Sequence, residues 1–362
     1  MSKVFFFDYS KGKGLLSGIR NLCAESAILE MIPKDSSVAI KLHMGELGNR
    51  TYIRPVFVHR VVDLVKKAGG KPFVTDTTAM YPGGRDNAGK YLSTAAYNGF
   101  TESSLGAPVV IADGDGYIGV PVPLKNTVNG CELQEVEIAT GIYESSFLLV
   151  LSHMKGHMLA GFGGGLKNLA MGCVTKKSKN EQHKSNPPLF EESKCDGCEA
   201  CIEACPVEAL TLKEGKPERD PDKCIYCSVC ISECPCGALY LGSYNKKQFQ
   251  IYLAHAASAV FHRFEGKMGF INFVQDVTPH CDCTASSGQP VVPDIGILAS
   301  LDPVAIDKVS LDLVDQSSVK YNEESLSPPD ILGKLHNVDS LGQLITAQEL
   351  GLGSMDYELI TL

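Results

Sequence analysis

No stretch of this 362-residue chain carries an apolar run long enough to cross a bilayer, and no membrane association is expected. The start, residues 1–14, has only a four-residue apolar run after Lys3 and no signal-peptide cleavage pattern, so a cytoplasmic location is expected. Basic residues are in the minority: 33 Lys and Arg stand against 42 Asp and Glu, a formal charge of −9 that argues against a nucleic-acid partner. Nucleotide fingerprints are missing too. No G-x-G-x-x-G follows a predicted strand, so neither flavin nor nicotinamide is indicated. The glycine-rich stretch 152–168 is not a Walker A loop, because Lys167 follows Leu166 and Asn168 stands where Ser or Thr belongs.

Cysteine, by contrast, is abundant, with 14 in the chain. Cys195, Cys198, Cys201 and Cys205 are spaced C-x2-C-x2-C-x3-C, as are Cys224, Cys227, Cys230 and Cys234, and the quartets are closed by Pro206 and Pro235. This is the two-cluster bacterial ferredoxin spacing. The second copy follows the first by 29 residues, and Lys194/Lys223, Ile202/Ile231, Ala209/Ala238, Leu210/Leu239 and Leu212/Leu241 repeat with it, marking an internal duplication. Three thiolates within a few residues hold three irons of a cubane, and in such ferredoxins the fourth ligand comes from the other run. The expected ligand sets are therefore Cys195, Cys198, Cys201 and Cys234 for one [4Fe-4S] cluster, and Cys224, Cys227, Cys230 and Cys205 for the other. Paired C-x2-C motifs also serve zinc, but zinc requires neither the C-P ending nor the duplication. Clusters require a reducing compartment.

Around the cassettes the pattern is α/β. Residues 37–44 and 72–76 read as strands flanking a helix that begins near Pro55, with Val58, Val61, Val62 and Val65 on one face and Gly69 and Gly70 as the stop. Further strands are expected at 109–112, 147–151, 270–274 and 295–299, and helices at 87–97, 248–262 and 303–314. Neither flank is a complete domain by itself. The expected architecture is a discontinuous Rossmann-like α/β domain with a mostly parallel sheet, residues 1–187 and 244–362, interrupted by a two-[4Fe-4S] ferredoxin-type module at 188–243. The polar run 176–188, rich in lysine, reads most simply as a solvated linker loop, with an anion-binding or partner-docking role as the alternative.

Ligands of parallel sheets sit beyond the strands' carboxyl ends. Those ends carry His43, Asp76, Asp113 with Asp115, His153 with His157, Asp276 with His280 and Cys281, and Asp302. Turn formation explains the acids at 113 and 115, but three histidine-bearing ends fit a site better. The stretch 152–168 adds Lys155, His157 and Lys167 to Gly163, Gly164 and Gly165, whose small size lets backbone N–H groups approach an anion. Its bland alternative is a tight turn with no ligand. Cys281 and Cys283, if extended, put both sulfurs on one face for a soft metal, with free buried thiols as the alternative. Cys23 and Cys131 read as core.

At these residues the chain resembles a family of uncharacterised bacterial and archaeal iron–sulfur proteins, a domain of unknown function with a two-cluster ferredoxin inserted into an α/β domain. The resemblance is carried by Lys155-Gly-His157, by Gly165-Leu-Lys-Asn168, by the cassettes, and by Cys281-Asp-Cys283 leading into 293–307. The segment 157–167 is also similar to the substrate and cofactor region of the nickel-pincer lactate racemases, which lack the cassettes. Together these readings lead us to expect an oxidoreductase passing single electrons from a donor or acceptor protein through two clusters to a small-molecule or metal site. His43, Lys155, His157 and Lys167 are its expected catalytic groups, and Asp76 and Gly163 to Gly165 its expected cofactor contacts. A dedicated electron carrier, and a metal or cofactor assembly factor using Cys281 and Cys283, are the alternatives.

Overall fold

The computed structural model describes residues 1–11, 14–320 and 326–362; Gly12 and Lys13, within the apolar-poor start, lie outside the described residues. Among the described residues the main sheet has eight strands: β1 (Ser2–Asp8), β2 (Ser37–Lys41), β3 (Lys71–Asp76), β4 (Val109–Ile111), β5 (Phe147–His153), β6 (Met268–Val274), β7 (Gly296–Ser300) and β8 (Tyr357–Thr361). Their spatial order is β8-β1-β7-β6-β5-β2-β3-β4. All neighbours are parallel except at β7, which runs antiparallel to both β1 and β6. The fold is thus mixed α/β with a mostly parallel sheet.

The side-chain period of two explains how one strand serves two cores. In β5, Leu148 and Val150 enter one apolar cluster, while Phe147, Leu149 and Leu151 enter the other; β6 divides in the same way between Phe270 and the pair Ile271 and Phe273. One face is covered by α1 (Leu15–Glu25), α2 (Pro55–Lys67) and α3 (Ala88–Tyr97). The other is covered by α4 (Gly165–Gly172), α6 (Ser243–Arg263) and α7 (Pro303–Asp315). Each such side chain taken fully out of water contributes about 1.5–3 kcal/mol. No helix of the described residues is long and apolar enough to cross a membrane.

The polar run read as a loop is in part a helix, α5 (Lys176–Lys184), which buries Ser178, Lys179 and Gln182. Its apolar content is too low for periodicity to register. After α5 the chain enters the cysteine-rich segment, whose ends meet as an antiparallel pair, Leu189 opposite Tyr240 and Phe190 opposite Leu239. The duplication extends to the backbone. Glu199 and Ser228 both adopt left-handed conformations, with φ of 62° and 64°, and each opens a one-turn helix, Ala200–Glu203 or Val229–Ser232, that carries a cysteine. Ala209 and Ala238 are buried alike, as are Leu210 and Leu239.

Candidate functional site

The folded cysteines arrange themselves as two groups. One cavity is lined by Cys195, Cys198, Cys201 and Cys234, joined by Cys236. A second, of about 260 Å³, is lined by Cys205, Cys224, Cys227 and Cys230. Burial first, and then the facing sulfurs of Cys227, Cys224, Cys201 and Cys205, push the Cys230 thiol up to about 12. Cys201 is raised by burial and by Cys234, Cys198 and Cys195. Backbone N–H groups already point at sulfur, from Ala209 to Cys205 at 3.2 Å and from Tyr226 to Cys224 at 3.4 Å. Among the described residues no three His, Cys, Asp or Glu side chains converge on a single ion. Four thiols ringing a cavity suit a cubane, whose corners each take one thiolate, better than a lone zinc.

The larger cavity, about 480 Å³, opens at the carboxyl ends of β2, β3, β5 and β6. His43, Asp76, Lys155, His157, Gly163, Gly164, Lys167, Cys281 and Cys283 all line it. It is cationic: Lys41, Arg85, Lys155, Lys167 and Lys179 stand against one lining carboxylate, Asp76, among the described residues. Three of the cations are ion-paired, Lys41 with Asp76 at 2.8 Å, Arg85 with Glu46 at 2.8 Å and Lys155 with Asp282 at 3.1 Å. Lys167 faces sulfur instead, with Nζ 3.8 Å from Cys281 Sγ. Lys179 donates to Thr77 Oγ1 at 2.7 Å and to the Thr78 carbonyl, and burial pulls its amine down to about 8.

The histidines supply neutral donors. Burial, reinforced by Arg85, holds His43 well below the usual imidazole range. Its Nδ1 accepts from the Gly45 N–H at 3.0 Å, which places the hydrogen on Nε2, a buried atom with no protein partner. His157 is likewise lowered by burial and Lys167, and its Nδ1 accepts from the N–H groups of Leu159 and Ala160. His153 also lines the cavity, with Nδ1 2.8 Å from Asp282 Oδ2 and Nε2 2.8 Å from the Gln275 carbonyl. It positions the Asp282 carboxylate, which Lys155 and His153 hold well below the usual carboxylate range against the opposing effect of burial.

Several groups expected to meet a ligand are instead engaged within the protein. Gly165 N–H and Leu166 N–H donate to Asp307 at 2.7 and 2.9 Å, so an internal carboxylate, not a ligand, occupies the start of α4. Gly164 is small for the same reason: a Cβ there would lie 2.4 Å from Asp307 Oδ1. Gly164→Ala is expected to lower the thermal midpoint by the equivalent of about 1–3 kcal/mol through overpacking; an unchanged midpoint would show that the cap shifts freely. Asp76, expected to touch a cofactor, has its oxygens on Lys41, the Thr77 N–H and the Tyr91 hydroxyl, and therefore acts as a positioning group. Asp302 caps α7 through the N–H groups of Val304 and Ala305, Asp276 pairs with Arg54 and Asp115 sits in a turn.

Cys281 to Cys283 is a turn rather than a strand, closed by the Thr284 N–H on the Cys281 carbonyl at 3.1 Å, with the Cys283 N–H folded back to Cys281 Sγ at 3.4 Å. The pair does not fit a soft metal. Lys167 and Lys155 place ammonium charge beside the sulfur, where it repels a cation, and no third ligand joins it among the described residues.

Sequence reasoning missed Lys41, Arg85, Lys179 and His183. Lys41 had a signal: a lysine inside a buried apolar strand, one step out of register with Asp76 on the neighbouring strand. Lys179 and His183 lie in the run 176–188, for which anion binding is only the alternative reading, since four residues apart in a polar helix they resemble solvated charge.

These features define an α/β protein with a duplicated cysteine-rich segment beside a cation-lined cavity. Residues 38–312 match the model of the Domain of unknown function (DUF362), and the chain belongs to that family. No curated protein matches it. Among solved structures it is similar to the lactate racemase apoprotein from Thermoanaerobacterium thermosaccharolyticum, at 12% identity and a TM-score of 0.38 over 76% of this chain and 51% of that one. It is also similar to a structural-genomics protein from Thermotoga maritima, at 10% identity and a TM-score of 0.35 over 72% of this chain and 49% of the other. The chain thus spans about half the length of each.

Proposed function

We propose that this protein is an iron–sulfur oxidoreductase acting on a small anionic molecule. Segment 188–243 is its electron-transfer unit. Cys195, Cys198, Cys201 and Cys234 would hold one [4Fe-4S] cluster, and Cys205, Cys224, Cys227 and Cys230 the other; when bound, such clusters supply single-electron transfer. The observation that carries this reading is the shared wall: Cys227 and Ser228 line both the second quartet's cavity and the large cationic cavity. None of the first quartet lines the large cavity, and its Cys198 is exposed, a position suited to an electron donor or acceptor protein. A dedicated carrier needs no convergent polar pocket, and here one is built.

In the cavity Lys167 and Lys179 supply charge to the anion, and the Nε2–H groups of His43 and His157 supply directional donors. A Cβ at Gly163 would come within 3.3 Å of the Lys167 stem and 3.4 Å of the Lys155 stem, so glycine there leaves room for both lysines. Isothermal titration with inorganic phosphate and small carboxylates tests the reading. At pH 7 at least one of these anions should bind, and Lys167→Met and Lys179→Met should each weaken it by about tenfold or more, the loss of one charge-assisted contact. Affinity should also fall as pH rises through about 8, where Lys179 sheds its proton. Binding that is absent, or indifferent to both lysines, would sink the proposal.

A further inference from the structure

Two cysteines of the cavity are left without a role by the reading above. We infer that Cys281 and Cys283 form a redox-active dithiol–disulfide couple that opens on the anion cavity. The inference goes beyond the anion site and does not depend on which anion binds there.

Packing alone does not account for the pair. Cys23 and Cys173 show what packed thiols look like here: both are fully buried, and burial pushes them up to about 12. Cys281 is treated differently by its surroundings. Its sulfur receives the Cys283 N–H at 3.4 Å and the Lys167 ammonium at 3.8 Å, with Lys155 further contributing positive charge. A sulfur facing ammonium groups, two residues from a second thiol, is the reactive arrangement of a closely spaced pair, one sulfur poised as nucleophile and the other as its resolving partner. The turn from Cys281 to Thr284 brings alternate residues closer than a strand would, the direction that a disulfide, with its Cα atoms about 4.4–6.8 Å apart, requires.

The turn is also held rigidly. Asp282, between the two cysteines, is fixed by His153 and Lys155 and accepts from Thr51 Oγ1 at 3.2 Å, and its carbonyl accepts from the Glu46 N–H at 2.9 Å. Asn49 Nδ2 donates to the Thr284 carbonyl at 2.9 Å. Arg85 and Tyr81 both donate to the Cys283 carbonyl, at 3.3 Å each. Seven polar groups thus support a four-residue turn whose sulfurs face a cavity, which is how a functional pair is preorganised.

With a small-molecule disulfide as oxidant, the Cys281 thiolate attacks one sulfur of that disulfide and releases a thiolate. The Cys283 thiol then loses its proton and displaces the second thiolate, forming the Cys281–Cys283 bond. One disulfide is consumed and one formed, two electrons pass to the two released thiols, and the Cys283 proton leaves on one of them.

The test uses the full chain, reconstituted with iron and sulfide without oxygen. It is equilibrated with reduced and oxidised glutathione at set ratios, quenched in acid, alkylated and read by peptide mass. Cys281 and Cys283 are expected to lose their alkylation tags together along a two-electron curve, while Cys23 and Cys173 keep theirs. Lys167→Met, which removes a cation that favours the reduced thiolate, should shift the equilibrium toward the disulfide by about tenfold, one charge-assisted contact. Visible absorbance of the same samples follows the clusters, so iron loss and closure of the pair are read separately. Tags retained on both residues at every ratio, glutathione left attached to Cys281 alone, or one zinc bound per chain and lost in Cys281→Ser would each overturn the inference. Failure of phosphate or carboxylates to bind would count against the anion reading and leave this result standing.

Discussion

Cys205→Ser is expected to cost the chain the iron held by Cys224, Cys227 and Cys230 while leaving its own sequence neighbours loaded. Two cubanes give about eight irons and eight labile sulfides per reconstituted chain, and loss of one leaves about four. The reason is the crossed lining of the two cavities, in which Cys205 joins the later quartet and Cys234 the earlier. Pairs of substitutions make the assignment sharp. Cys205→Ser combined with Cys224→Ser should lose no more iron than either alone, since both strike one centre, whereas Cys205→Ser with Cys198→Ser should lose nearly all of it. The reverse pattern, with Cys205 and Cys198 behaving as one centre, would reject the crossed ligand sets.

An equally large effect on stability is expected at the floor of the large cavity. Lys41 is 1% exposed and Asp76 2%, and the pair is held together by Asn168 Oδ1 at 2.7 Å from the ammonium and by Tyr91 on the carboxylate. Lys41→Met leaves the Asp76 charge buried without its counter-ion, a defect that costs about 3–5 kcal/mol. Adding Asp76→Asn should recover a good part of that loss, because a neutral amide accepts burial far more readily than an unpaired carboxylate. Urea unfolding of the two variants measures both steps. A single-variant loss below about 1 kcal/mol, the range of an exposed pair, would mean that water reaches the pair.

The parts of the molecule that were legible in the sequence are those governed by local pattern. The strand expected at 147–151 and found at Phe147–His153 was visible because an unbroken apolar run has few other uses, and the grouping of the cysteines because their spacing repeats in the duplicated segment. The site residues at strand ends, such as His43 and His157, followed from the rule that parallel strands deliver their carboxyl ends to one edge. What could not be read were the long-range choices. That Asp307 would fill the start of α4, more than a hundred positions away, depends on how two helices meet on one sheet face. Lys179 looked like its three neighbouring lysines until tertiary packing buried it. Strands β1 and β8 form a parallel edge pair, and pairing between the two extremes of a chain leaves no local signature.

The meeting of Leu189–Phe190 with Leu239–Tyr240 also bears on how the chain comes to fold. The central joint of the sheet pairs β5 with β6, strands separated by roughly a hundred residues, and closure entropy rises with the length of the intervening loop. A cysteine-rich segment that ties its own ends together takes its own length out of that loop. Since each halving of an effective loop lowers the closing cost by only about 0.6 kcal/mol, the interruption weighs little on the finished sheet. Its weight falls on timing, because a ribosome releases β5 well before β6, and the exposed edge of β5 must wait for its partner while the intervening cysteines are still being collected.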